Sequence, residues 1–398
     1  MPAPLLVVAA LLAAAPTAAP AAEPAEPQVL VLRAARIFDS RSGKLVEPGL
    51  VVVRGNRIVA AGPNPPLPAG AHVVDLGDAT LLPGLIDAHT HIAFELSGDW
   101  KKDELDGLKK PIPELAHRSS VYARRTLLAG FTAVRDVGSD ELLDVGLRNA
   151  IREGLVPGPR IQAAVMSIGA TGGHCDVTGY RPGVLARDSA PAVADGPDAV
   201  RAMVRKVVKL GADVVKVCAS GGVLSETDEV DTPQLTQAEL DALVDEAHAL
   251  RRRAAAHAHG ALAAKRAVRA GIDSIEHGSF LDDEAMDLMK QKGTYLVATL
   301  ATTDRIVDLE KTGAPAKVVE KARAANAVIR ATFRRAVEKG VRIAFGTDSA
   351  VTPHGKNARE LVLMVENGMK PADALRAATA VAAELLGLEK EIGALEAG

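Results

Sequence analysis

Beyond Pro83 the chain alternates short, apolar, β-rich runs with amphipathic helical stretches, and this rhythm constrains the fold more than any other feature. It predicts strands at 85–91, 132–137, 160–168, 214–219, 254–259, 273–276, 295–299 and 342–347. Runs such as Val214-Val215-Lys216-Val217 are almost continuously apolar, as strands are when protein covers both faces. The stretch 236–250 is a clear helix: Thr236 with Glu239 makes a capping box, and Leu240, Leu243, Val244, Ala247 and Leu250 keep helical spacing. Eight strands alternating with helices predict an α/β chain folded as a (β/α)8 TIM-type barrel over residues 83–388. A doubly wound sheet is the alternative, but no glycine-rich phosphate loop follows the first strand.

Residues 28–82 read differently. Val29–Leu32 is apolar, and 50–53 and 58–60 flank the turn Arg54-Gly55-Asn56-Arg57, a hairpin signal. Pro63, Pro65, Pro66 and Pro68 then exclude a strand interior. This small β module is expected to be a β-sandwich joined by residues 389–398. The last helical pattern, 371–386, gives way there to a turn and the start of an extended segment, where the chain stops. The expectation is a sandwich whose C-terminal strands are missing, with unpaired edges that favour aggregation or pairing. At the other end, the apolar run 5–15 is too short to span a bilayer, and Ala19-Pro20-Ala21 fits a signal-peptidase site. Residues 1–22 therefore read as a signal peptide and the mature protein as exported, periplasmic or secreted, without a membrane segment. The alternative is an uncleaved leader on a cytoplasmic protein, since no Lys or Arg precedes Arg33.

A net charge of −3 without basic blocks argues against a nucleic-acid surface, which needs clustered Lys and Arg. With 3% aromatic residues, stacking platforms for single strands are scarce. The 48% hydrophobic content supports a large core and excludes disorder. Two cysteines, Cys175 and Cys218, cannot build a disulfide scaffold or a thiolate zinc site. What remains is an α/β enzyme acting on a small molecule or short peptide, with homo-oligomerisation left open.

In a barrel of this kind, function sits at the C-terminal ends of the strands. The first predicted strand ends Asp87-Ala88-His89-Thr90-His91, where residues two apart share a face and two neutral imidazoles can ligate a divalent ion. The fourth holds Lys216, whose burial would depress its pKa. It either faces outward or pairs with a carboxylate, or its neutral amine takes up carbon dioxide as a carbamate able to bridge two metals. The fifth ends Ala256-His257-Ala258-His259-Gly260, the sixth Glu276-His277-Gly278, and the eighth Thr347-Asp348-Ser349. Each alone reads as structural; their conjunction at strand ends does not follow from core packing.

Taken in order, PGLIDAHTH (83–91), VVKVCASGG (214–222), AHAHG (256–260), SIEHG (274–278) and FGTDS (345–349) resemble the amidohydrolase superfamily of metal-dependent hydrolases. In detail they look most like its imidazolonepropionase-like and Xaa-Pro-dipeptidase-type branch. The resemblance implies His89 and His91 on one metal with Asp348 beside them, carboxylated Lys216 bridging, and His257 and His277 on a second metal. The ions would be two divalent cations, zinc being expected, holding a bridging hydroxide. His259 would neighbour the site, and Asp348 would act as base and then acid, with His277 or His174 the next candidates.

His174, in the loop Thr171-Gly172-Gly173-His174-Cys175-Asp176, either polarises the scissile carbonyl, contacts substrate, or makes a turn hydrogen bond. His354 is a further candidate at the mouth. Cys175 and Cys218 are read as unlinked small side chains, with a disulfide possible in an oxidising compartment. The activity implied is a dipeptidase or carboxypeptidase-like amidohydrolase releasing a C-terminal amino acid. The alternatives are a hydrolase of cyclic amides or lactones and a non-catalytic barrel that binds partners.

Overall fold

The computed structural model describes residues 29–181, 183, 190–306 and 309–398. The expected leader lies outside them. The N-terminal strands are β1 (Val29–Ala34), β2 (Arg36–Asp39), β3 (Lys44–Val46), β4 (Gly49–Arg54), β5 (Arg57–Gly62), β6 (His72–Asp75) and β7 (Thr80–Leu81). They form a four-stranded sheet in the order β5-β4-β1-β6 and a three-stranded sheet β3-β2-β7. The hairpin expected around Gly55-Asn56 joins β4 to β5, with Arg54 opposite Arg57 and Gly55 at φ +60°, a region open to glycine. The tail 389–398 lies against these strands without forming one of its own. Ser40 Oγ donates to Gly393 O at 2.6 Å, and Gly398 N donates to Ile58 O at 3.0 Å.

The strands that follow are β8 (Leu85–Thr90), β9 (Phe131–Asp136), β10 (Arg160–Ala163), β11 (Ser167–Ile168), β12 (Val214–Cys218), β13 (Arg253–Gly260), β14 (Ser274–Phe280) and β15 (Tyr295–Val297). They pair in parallel as β10-β9-β8 and β11-β12-β13-β14-β15, with helices between most of them, so the chain is α/β. Helices pack their apolar stripes on the strands: Val204, Val207, Leu240 and Leu243 share one buried core with Val215, Val217 and Ile275. Among the described residues no helix is long and apolar enough to cross a membrane.

Three expectations need correcting. The strand expected at 160–168 is split, because Val165 turns to φ +72° and gives its N–H to the Asp144 carboxylate at 2.8 Å. The strand expected at 342–347 survives only as one isolated parallel bridge, Leu296 with Ile343, and Ser349 just beyond it bridges Thr90. Its amides are divided among neighbours: Ala344 N reaches Leu296 O, and Phe345 N reaches Ala377 O. The segment thereby links β15 on one side to β8 on the other. The single helix expected at 371–386 is two, Pro371–Ala377 and Ala380–Leu386. Ala377 O and Ala378 O accept from Phe345 N and Ile86 N, which turns those carbonyls away from a continuous helix.

The helix Gln237–Ala249 has the full capping box, and the Glu239 carboxylate also accepts from Gly196 N at 2.7 Å. Burial alone would raise this carboxyl, but the Thr236 and Gly196 amides and the Thr236 hydroxyl hold it below its ordinary 4.5. Thr236→Ala is expected to cost about 1 kcal/mol in denaturant unfolding at neutral pH. A depressed native pKa stabilises above the unfolded value and is lost as pH falls through the native one, so the difference should shrink in acid. A variant as stable as the parent at pH 7 would show that the box contributes nothing.

Candidate active site

The polar residues singled out at the strand ends converge on one cavity of about 510 Å³, lined among others by His89, His91, His174, Lys216, His257, His259, His277 and Asp348. Phe94, Leu96, Trp100, Val223, Leu224, Leu309 and Val351 give the rest of its wall a large apolar share, while Asp99, Asp103, Arg305 and Lys311 add charge. Parallel register brings the residues together: Cys218 on β12 pairs with His257 on β13, and Ala258 with His277 on β14.

Two donor clusters result. In the first, Asp348 Oδ1 lies 3.6 Å from His89 Nε2 and 3.5 Å from His91 Nε2. In the second, donor atoms of His257, His259 and His277 lie within 4.8 Å of one another. The clusters adjoin through the His89 and His277 rings, whose centroids are 4.9 Å apart. The second cluster thus takes in His259, which the sequence reading kept as a neighbour. His354 does not line the cavity; its Nε2 donates to Phe94 O at 2.8 Å and its ring stacks on Tyr122. Cys175 and Cys218, read as unlinked, are joined as a disulfide with Cα atoms 5.9 Å apart, tying the His174 loop to the end of β12.

Each imidazole is oriented by the nitrogen that does not face its cluster. His89 Nδ1 donates to Glu276 Oε2 at 2.7 Å and His91 Nδ1 to Gly138 O at 2.7 Å, leaving both Nε2 lone pairs toward Asp348. His257 Nε2 donates to Gly221 O at 3.0 Å, so its Nδ1 keeps a free lone pair. His277 Nδ1 is hydrogen-bonded to Thr299 Oγ1 and His259 Nδ1 to Ser279 Oγ, both at 2.8 Å. Burial, with positive neighbours such as Lys216, pushes His89 well below its ordinary value and His91 down to about 4. These imidazoles are neutral at pH 7. Burial likewise lowers Lys216 to about 8 and raises Asp348 to about 6. Neutral imidazoles beside a carboxylate fit a divalent metal ion.

Sequence reasoning missed the groups behind these. Glu276 is fully buried; besides His89 it accepts from Arg135 Nη2 at 2.8 Å and Ser274 Oγ at 2.5 Å, while Arg135 Nε donates to Ala88 O at 2.6 Å. Asp87 accepts from Thr347 Oγ1 at 2.6 Å and Asn357 Nδ2 at 2.7 Å, joining the segment before Asp348 to β8. The signal was present: Glu276 and Arg135 are charged residues inside otherwise apolar runs, which burial makes costly unless they pair.

A model of the Amidohydrolase family matches residues 80–398, and the chain belongs to that family of metal-dependent hydrolases. A crystal structure of a Xaa-Pro dipeptidase with bound methionine in the active site superposes with a TM-score of 0.86 at 39% identity, covering 93% of this chain and 92% of that one. A prolidase complexed with N-methylphosphonate-L-proline gives 0.82 at 32% identity, covering 93% and 90%. The ochratoxinase of Aspergillus niger is 34% identical over 316 residues, 75% of this chain but 64% of the length of that longer protein.

Arg135→Met would leave the Glu276 charge buried and without its guanidinium partner. The expected loss is about 3–5 kcal/mol in denaturant unfolding, with partial recovery in the Arg135→Met/Glu276→Gln double variant. An unchanged midpoint for the single variant would remove the pair from the supports of the site.

Proposed function

We propose that the protein hydrolyses an amide bond and releases a C-terminal amino acid from a dipeptide or an N-acyl amino acid. The observation that supports this best is the pair of adjoining donor clusters that line one cavity together with Lys216. Kinship with a Xaa-Pro dipeptidase, a prolidase and an ochratoxinase points the same way. On this reading the two parallel sheets and the segment bridging them are a single (β/α)8 barrel, residues 28–82 with 389–398 an accessory β-sandwich, and residues 1–22 an export leader.

His89, His91 and Asp348 would hold one divalent ion, and His257 and His277 a second, with His259 within reach of it. Lys216, carboxylated by carbon dioxide, would be shared between them, and zinc is the expected metal. Bound there, the ions supply Lewis acidity that polarises a carbonyl and lowers the pKa of water. The chain's own groups do the rest. Glu276 keeps the His89 ring turned toward Asp348. Asp348 takes the proton of the water that adds to the carbonyl carbon and returns it to the nitrogen as the C–N bond breaks, giving a carboxylate and an amine. The apolar part of the wall would receive an apolar side chain or acyl group.

A panel of Xaa-Pro dipeptides, other dipeptides and N-acyl amino acids, set against cyclic amides and lactones and assayed with added zinc, tests the reading. Turnover of the linear amides is expected. Turnover of the cyclic substrates alone would replace the reading, and inertness of the metal-loaded protein toward all would favour a binding role.

Within the site, His89→Ala and His257→Ala should lower metal content by elemental analysis. Asp348→Asn, whose amide oxygen can still ligate, should keep the fold and most of the metal while reducing kcat by about 10²–10⁴-fold, because an amide cannot take the proton. Near-normal turnover in Asp348→Asn would move the base elsewhere.

A further inference from the structure

Behind His174 lies a buried polar network that the proposed reaction does not use. His174 Nδ1 is 2.9 Å from Ser225 Oγ, and Ser225 Oγ is 2.6 Å from Asp228 Oδ1. Asp228 Oδ2 accepts from Gln234 Nε2 at 2.7 Å, and Gln234 Oε1 accepts from His174 N at 2.9 Å, so the network closes on the loop it supports. Lys321, from the helix Ala316–Lys339, is 2% exposed and donates to Asp228 Oδ1 at 2.8 Å and Ser225 O at 2.5 Å.

The proton order along this chain follows from the inventory of donors. Lys321 keeps Asp228 ionised: burial would raise its carboxyl, but the hydrogen bonds from Lys321 and Ser225 outweigh it. An ionised carboxylate only accepts, so the single Ser225 proton goes to Asp228 Oδ1, the shorter of its side-chain contacts. Ser225 Oγ then accepts, and the proton between it and the ring belongs to His174 Nδ1. The ring itself is clamped. It stacks on His257 with centroids 4.3 Å apart, and a Cβ at Gly222 would run into it from its own strand-end loop.

We propose that Asp228, Ser225 and Lys321 are positioning residues that fix His174 as the Nδ1–H tautomer, so that Nε2 meets the substrate as a hydrogen-bond acceptor. This rests on the amide-hydrolase reading only for the identity of the substrate group, which is an N–H and not the scissile carbonyl oxygen. A neutral His174 in this tautomer has no proton at Nε2 with which to polarise a carbonyl.

The test is the ¹⁵N spectrum of histidine-labelled, metal-loaded protein, with His174 assigned by comparison with His174→Gln. The expected spectrum has a protonated Nδ1 and an unprotonated Nε2. In Asp228→Ala nothing accepts the Ser225 proton on that side, so the hydroxyl is free to turn toward His174 and the fixed Nδ1–H tautomer should be lost. Because that variant leaves the Lys321 charge buried without a partner and can fail to fold, Ser225→Ala is the second probe. It keeps the Asp228–Lys321 pair, and should abolish the fixed tautomer and lower kcat by about tenfold or more with little change in Tm. Ser225→Thr should restore both. A wild-type His174 protonated at Nε2, or a Ser225→Ala protein with unchanged shifts, would overturn the proposal. The tautomer is read without any substrate, so a protein inert toward the whole panel but showing protonated Nδ1 loses the hydrolase reading and keeps the positioning.

Discussion

The Glu276 carboxylate is the interaction on which the site depends. It sits fully buried on β14, between the Arg135 guanidinium from β9 and the His89 ring from β8. Three strands are therefore joined through one charged group, and the two that belong to the smaller parallel sheet are tied to the larger one. Charges withdrawn from water stabilise only when their hydrogen bonds are complete, and here Ser274 and the Ala88 carbonyl complete them. The same arrangement sets the tautomer of His89. A group that looks structural thus decides which nitrogen faces Asp348.

Backbone strain is also found at this place, though not only here. His277 at φ +70°, Thr299 at φ +53° and Asp348 at φ +57° are non-glycine residues in the left-handed region, each at a cost of about 1–3 kcal/mol. Two are cluster residues, and the third hydrogen-bonds the His277 ring. His277 lies within β14, Thr299 just after β15 and Asp348 beyond the bridged segment, and the surroundings hold the last two: Asp348 N donates to His89 O at 2.8 Å, and Leu300 N and Ala301 N after Thr299 donate to the buried Glu360 carboxylate. The backbone is bent so that side chains from different strands reach one point. Ideal strand ends would keep alternating across the sheet.

This division explains what could be read from the chain. Seven of the eight runs singled out after Pro83 contain strand, because parallel strands covered on both faces need continuous apolar sequence. The Thr236 box and the Gly55-Asn56 turn were legible because their causes are local. The clustering of His89, His91, Lys216, His257, His277 and Asp348 was legible because such residues are out of place in buried strand ends. The breaks were not. Val165 leaves its strand because Asp144 takes its amide, and the final helix divides because Phe345 and Ile86 take two of its carbonyls. Those partners are remote in sequence and leave no periodic trace. His259 joining the second cluster, and His354 turning to Tyr122, likewise depend on neighbours that only the fold supplies.

One physical cause, removal from water, puts most of these groups in the state that the proposed chemistry requires. It keeps His89, His91, His257 and His277 neutral, so their lone pairs are available at pH 7. It brings Lys216 down to about 8, where a useful fraction of the amine is unprotonated and nucleophilic toward carbon dioxide. It raises Asp348 to about 6, close enough to neutrality for a carboxylate to accept a proton and give it back. Partners modulate these shifts, but desolvation is the largest cause of each. The burial of these strand ends and the reactivity of the groups they carry are therefore linked. Hydrating these strand ends would return the lysine and the histidines toward their charged forms and weaken the donor set without any ligand being replaced.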